Sequence, residues 1–129
     1  MNAINALAPY VHWLVRLSFA ATFLYHGLPK LLDPAMFAAM MSMPTIAIVM
    51  IAILEVGGAL LVLYGGFGPD WATRIGGIAT VPVMLGAIFM VHISNGWDFT
   101  KGGVEFNALL LAVGITFFVR GNANMKIAM

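Results

Sequence analysis

Cysteine is absent from this chain, which excludes disulfides, thiolate catalysis, Cys-ligated zinc and Cys-bound iron–sulfur clusters. Charge is scarce. Asp, Glu, Lys and Arg make up 9% of 129 residues, where a soluble domain carries about 25%. The formal net charge is +1 and no basic run is present, so neither nucleic acid nor a strongly anionic lipid surface is indicated as a partner. Apolar residues take up the difference: 62% of the chain is hydrophobic and the mean hydropathy is +0.99. This balance excludes disorder and an ordinary water-soluble enzyme, and predicts a single integral membrane domain over residues 1–129. No Lys or Arg precedes Arg16 and no small-x-small cleavage site stands out, so the N-terminus reads as a first span.

Apolar stretches bounded by polar clusters predict an all-α, four-helix membrane bundle with spans at about 8–31, 44–65, 71–94 and 103–120. Strand alternation is missing, which leaves helices as the way to satisfy the backbone in lipid. Asp33-Pro34 reads as an N-cap followed by proline at the first helical position, predicting a short interfacial helix at about 34–41. Pro82 lies inside the third span and is expected to kink it or free a carbonyl. Four spans put both termini on one side. Arg74, Arg120 and Lys126 lie there with Arg16 just inside, against Lys30 and Lys101 opposite, so the positive-inside rule assigns the terminal side to the cytoplasm of a cell membrane. Trp13, Tyr64 and Trp71 mark an aromatic belt on the terminal side, and Tyr25 and Trp97 mark one on the other. Two runs of small residues at four-residue spacing, Ala72-Gly76-Thr80 and Ala108-Ala112-Thr116, are candidate helix contacts. The ten Met residues read as flexible filler rather than copper ligands.

The few ionisable groups are ordered. Steps of 4, 3 and 4 residues along the first span pick out His12, Arg16, His26, Lys30 and Asp33, with Phe19 and Phe23 between them. Such a stripe should face the bundle interior or a wet cavity, because lipid exposure is costly. The third span repeats it more weakly through Arg74, Ile78, Val81, Leu85, Ile88 and His92. Glu55 is the single ionisable residue of the second span. A count of about 1.5 Å per residue puts it at a depth similar to Arg16, so an Arg16–Glu55 pair is expected, either as a structural tie or as a site. At the non-terminal side His26, Lys30, His92, Trp97, Asp98, Lys101 and Glu105 gather as a polar mouth over an aromatic floor of Tyr25, Phe99 and Phe106. Taken singly, each has a bland explanation as a snorkelling lysine, a capping carboxylate or a belt tryptophan. Two histidines at one mouth suit a binding pocket better.

Several of these features occur together in a known order. They are Arg16, His26-Gly27-Leu28-Pro29-Lys30, Glu55 with Gly57-Gly58, Gly65-Gly66, His92 before Asn95-Gly96-Trp97, and Gly102-Gly103-Val104-Glu105. In this the chain resembles the DoxX family over nearly its whole length, and departs from it after Arg120-Gly121. The resemblance implies a small four-helix membrane protein of a quinone-linked or respiratory redox system. The family takes its name from a quinol oxidase and thiosulfate:quinone oxidoreductase system. On that reading Arg16, His26, Lys30, Glu55, His92, Trp97, Lys101 and Glu105 are the candidate quinone-binding residues, and no metal is expected.

Whether the chain is itself an enzyme stays open. It carries no flavin motif, cluster ligand set or covalent haem motif, so electrons would have to come from another subunit. The alternative is a non-catalytic anchor that packs against other membrane subunits, or against copies of itself. A b-type haem on His26 and His92 is disfavoured, since such ligands usually sit deeper and in more than one pair. A solute path would need oligomerisation, as no internal repeat is visible.

Overall fold

With so much of the backbone bound for lipid, each segment has to close its own hydrogen bonds, and helices do this locally. The computed structural model describes residues 1–123, and among them no strand occurs. There are five α-helices: α1 (Asn2–Leu32), α2 (Pro34–Met41), α3 (Thr45–Gly65), α4 (Asp70–Gly86) and α5 (Glu105–Arg120). Helix α4 runs on without a break as a π-turn, Ala87–His92, and a 3-10 turn, Ile93–Asn95. Three helices are long and apolar enough to cross a membrane: Asn2–Leu32, Thr45–Gly65 and Asp70–Asn95. Helix α5, at 16 residues, spans about 24 Å and falls short of the roughly 30 Å hydrocarbon core. The observed architecture is thus all-helical with three full-length crossing helices, where four were expected. Lys126 lies outside the described residues.

Local chemistry sets several boundaries. The Asp33 carboxylate accepts from the Met36 amide at 3.1 Å and Pro34 opens α2, where its missing N–H costs nothing. Pro82 stays within α4, and the helix widens into its π-turn only after Gly86.

Close packing follows the glycines. At the α1–α3 seam a Cβ on Gly27 would lie 2.9 Å from the Glu55 Cβ. At the α3–α4 seam a Cβ on Gly76 would meet the Gly58 carbonyl at 2.7 Å. At the α4–α5 seam a Cβ on Gly77 would meet the Gly114 carbonyl at 2.6 Å. Where the hydrophobic effect is absent, such approach gains the dispersion contacts that hold helices together. The helices are therefore joined in the order α1–α3–α4–α5, each antiparallel to the last, while the α1 and α5 backbones stand apart. Across that last gap Phe19 meets Phe117 edge-on, with ring centroids 5.3 Å apart.

Two expected stripes look different in the structure. Ala72, Gly76 and Thr80 are buried, but Ala112 and Thr116 are exposed and Ala108 is half-buried. Helix α5 instead buries Leu110, Gly114 and Phe117. The Ala/Thr spacing misled because composition alone makes it common, whereas Gly114 is where α5 touches Thr80 and Gly77. The Arg74-to-His92 face of α4 is not interior either, with Ile78 and Leu85 exposed. Its buried face runs through Thr73, Gly77, Thr80 and Met84, where α3 and α5 both press.

The seam glycines give a direct test. Gly76→Val should destabilise the protein by about 1–3 kcal/mol through overpacking. Gly57→Ala has nothing within 4 Å of the new Cβ and should leave stability unchanged or slightly raised. Thermal unfolding in one detergent compares the two.

Candidate functional site

Arg16 and Glu55 belong to different ends of the molecule, so the expected pair is not formed. Trp13 packs on Phe67 at 5.0 Å between ring centroids, which sets the end of the bundle against α1. Arg16 is one turn in from that end, whereas Glu55 is ten residues, about 15 Å, from the end of α3 at Gly65. The depth count failed because α1 starts at Asn2 and overshoots α3, so its first turns do not measure depth.

Arg16, 1% exposed, completes the ends of other helices. Its Nη1 donates to the Val62 carbonyl, one of the last four of α3 that lack an intrahelical donor, and to Thr73 Oγ1 at 2.9 Å. Its Nη2 donates to Asn122 Oδ1 at 2.8 Å, and its Nε to His12 Nδ1 at 3.2 Å. Asn122 closes the cluster. Its Nδ2 donates to the Gly65 and Gly68 carbonyls, both at 3.0 Å, and its amide donates to Asp70 at 2.7 Å. Gly65 fits only without a side chain, since a Cβ there would strike Thr73. Arg74 treats α5 likewise, donating to the Phe118 and Val119 carbonyls while paired to Asp70 at 2.6 Å. This end of the molecule is a structural clasp.

The opposite end holds the cavity. Lys30 Nζ donates to Glu55 Oε1 at 2.9 Å and Oε2 at 2.7 Å, with both side chains largely buried. Gly27, one turn before Lys30, is what lets Glu55 lie against α1. An ion pair of this kind answers the desolvation of each partner, which alone in hydrocarbon would be prohibitive. Beside it lies a cavity of about 240 Å³ whose lining includes His26, Lys30, Glu55 and His92. The π-turn carries His92 to this wall, and the His92 Nδ1–H donates to the Gly102 carbonyl at 2.7 Å. A carbonyl only accepts, so Nδ1 carries a proton, and with the ring in its neutral form Nε2 is the acceptor. Gly102 takes φ +77, a conformation that glycine adopts freely, and this turns its carbonyl toward both His92 and Asn95.

The loop from Gly96 to Glu105 roofs the cavity and satisfies itself. Gly103, Val104 and Glu105 amides donate back to Asp98, Gly96 and Trp97 carbonyls at 2.8–3.0 Å. Four of the eight candidates, His26, Lys30, Glu55 and His92, thus share one cavity, His26 at its exposed edge. Glu105 is a loop staple, accepting from the Phe99 amide at 3.1 Å. Trp97 and Glu105 border a neighbouring hollow with Phe99 and Phe106. Lys101 is exposed on the loop, and Arg16 is in the clasp. Asp98 caps the 3-10 turn Phe99–Lys101 instead of facing the cavity. Phe99 and Phe106 line the cavity, but Tyr25 points outward, 76% exposed.

Sequence reasoning missed Asn107 and Thr22 on the cavity wall, and Thr73 and Asn122 in the clasp. A signal existed for Asn107. Steps of 4, 3, 4, 3 and 4 from Gly103 give Asn107, Leu110, Gly114, Phe117 and Gly121, the inward face of α5.

Comparison with known proteins gives one family. A family model described as DoxX matches residues 12–93. No curated protein and no solved structure matches the chain.

Two substitution sets separate the ends. Arg16→Lys should lose about 2–4 kcal/mol, since an ammonium lacks the planar fork that bridges Val62, Thr73 and Asn122. Lys30→Met or Glu55→Leu alone should lose about 3–5 kcal/mol by leaving one buried charge unpaired, and the double variant should recover most of it. Unfolding midpoints of the four proteins check both statements.

Proposed function

The chain belongs to the DoxX family, and from that premise we propose that it is a multi-pass membrane protein of a quinone-linked redox system, holding a quinone ring in the Lys30–Glu55–His92 cavity. The observation that carries this reading is the pairing of one donor and one acceptor at an apolar slot. Lys30 spends two contacts on Glu55, and an ammonium has three hydrogens, so one is left for a quinone carbonyl. His92 Nε2 is the acceptor a quinol hydroxyl needs. Phe99, Phe106 and Leu110 supply apolar walls for a ring. Electrons come from a partner subunit in this reading, since the sequence carries no flavin motif, cluster ligand set or covalent haem motif. The antiparallel order α1–α3–α4–α5 supports a four-pass topology in which the short α5 also crosses and both ends share one face of the membrane. The arginines of the clasp end then put that face in the cytoplasm.

A second reading, an anchor subunit for a larger assembly, is favoured by α1. Its first turns extend past the bundle and expose Ile4, Leu7 and Tyr10 at 63–72%. The two readings part on binding. With purified protein in nanodiscs, a short-chain benzoquinone should bind saturably, and His92→Ala should weaken it about tenfold, the worth of one well-made hydrogen bond to a ligand. Affinity unchanged in a His26→Ala/His92→Ala protein would sink the quinone assignment and leave the anchor.

A further inference from the structure

We propose that the open seam between α1 and α5 is a lateral doorway and chain-binding groove, through which the ligand enters from the bilayer and along which its aliphatic tail lies. The proposal rests on the quinone reading for the head group, and its own evidence is independent of it. Three helix seams are closed by glycine approaches under 3 Å, whereas at the α1–α5 seam a Cβ on Gly114 would still lie 3.8 Å from the Phe19 ring. Instead it carries a hollow of about 360 Å³ with almost wholly apolar walls, Leu14 and Val15 on one side and Leu109 and Val113 on the other.

That hollow adjoins the polar cavity, with Thr22, Phe106 and Leu110 as walls of both. It also continues toward the clasp, where Val15 and Val113 border a further space of about 440 Å³. From Thr22 back to Ala8 the line covers fourteen residues of α1, about 21 Å along the axis. The polar cavity is too small for a whole drug-sized ligand, for which pockets begin near 300 Å³. It is roofed on its outer side by the self-bonded Phe99–Gly103 turn. A head group seated there has an apolar way out for its tail along the seam. In lipid the tail gains nothing from leaving water, so the groove positions the molecule more than it strengthens binding. The readout must accordingly be location.

The test uses the full chain in phosphatidylcholine vesicles and a quinone whose decyl tail ends in a photoreactive diazirine. Label should concentrate on residues 14–18 and 109–113, several-fold above the lipid-facing Ile46, Met50 and Ile53 of α3, and excess unlabelled decylquinone should remove it. Val113→Trp, which fills the groove, should cut that labelling several-fold while a tail-less quinone still binds. Ser18→Phe fills it from the α1 wall and replaces Val113→Trp if that protein does not fold. Equal labelling of α3 and the seam, or labelling indifferent to a filled groove, overturns the groove and marks its occupant as bulk lipid chain. Seam labelling that excess decylquinone competes away, with no binding of the tail-less quinone, overturns the head-group assignment and leaves the groove standing.

Discussion

A charge in hydrocarbon has to be answered from within the protein, and that requirement organises the structure more than any apolar contact does. Two helix ends and two buried cations are arranged around it. Arg16 answers the terminal carbonyl of α3, Arg74 answers those of α5, and Glu55 answers Lys30. No buried side-chain nitrogen or oxygen among the described residues is left without a partner. In water a surface ion pair is worth little because solvent competes for both members. In the bilayer solvent is missing, so each pair fixes where two helices meet.

The two ends use this rule for different purposes. At the clasp the donors are turned on backbone carbonyls and on the side chains of His12, Asp70, Thr73 and Asn122, and the groups engage one another. At the cavity the pairing is incomplete by design of the geometry. Lys30 keeps a hydrogen, His92 keeps a lone pair, and Asn107 bonds only weakly, to the Met84 sulfur at 3.9 Å. A saturated network holds a fold, and one with spare valences at a cavity wall can hold something else.

How much of this could be read from the sequence differs by scale. The 4-3-4 stepping along α1 picks out Arg16, Phe19 and Phe23, which are buried, and His12 and Lys30, which are half-buried, but its members His26 and Asp33 are exposed. The apolar runs identify three helices that can cross a membrane, because hydropathy and length are local properties. Which charge pairs with which was not legible. Depth counted along each helix assumes that helices begin level, and α1 does not. Asn122 was invisible for another reason: an Asn beyond a helix end is an ordinary sight, and only the convergence of Gly65, Gly68 and Arg16 on it gives it a task. Of the seam glycines only Gly76 was legible, within the Ala72-Gly76-Thr80 run; which of the others touch depends on helix rotation, and single-helix patterns do not encode that.

The position of Asn122 also bears on how the chain is made. It comes after α5 in the chain, yet it bridges the end of α3, the start of α4 and the Arg16 guanidinium. During synthesis the first helices can insert and pair through their glycines, but the Gly68 carbonyl meets the Asn122 side-chain amide only once α5 is in place. The clasp therefore cannot close until every helix that it ties together has been made.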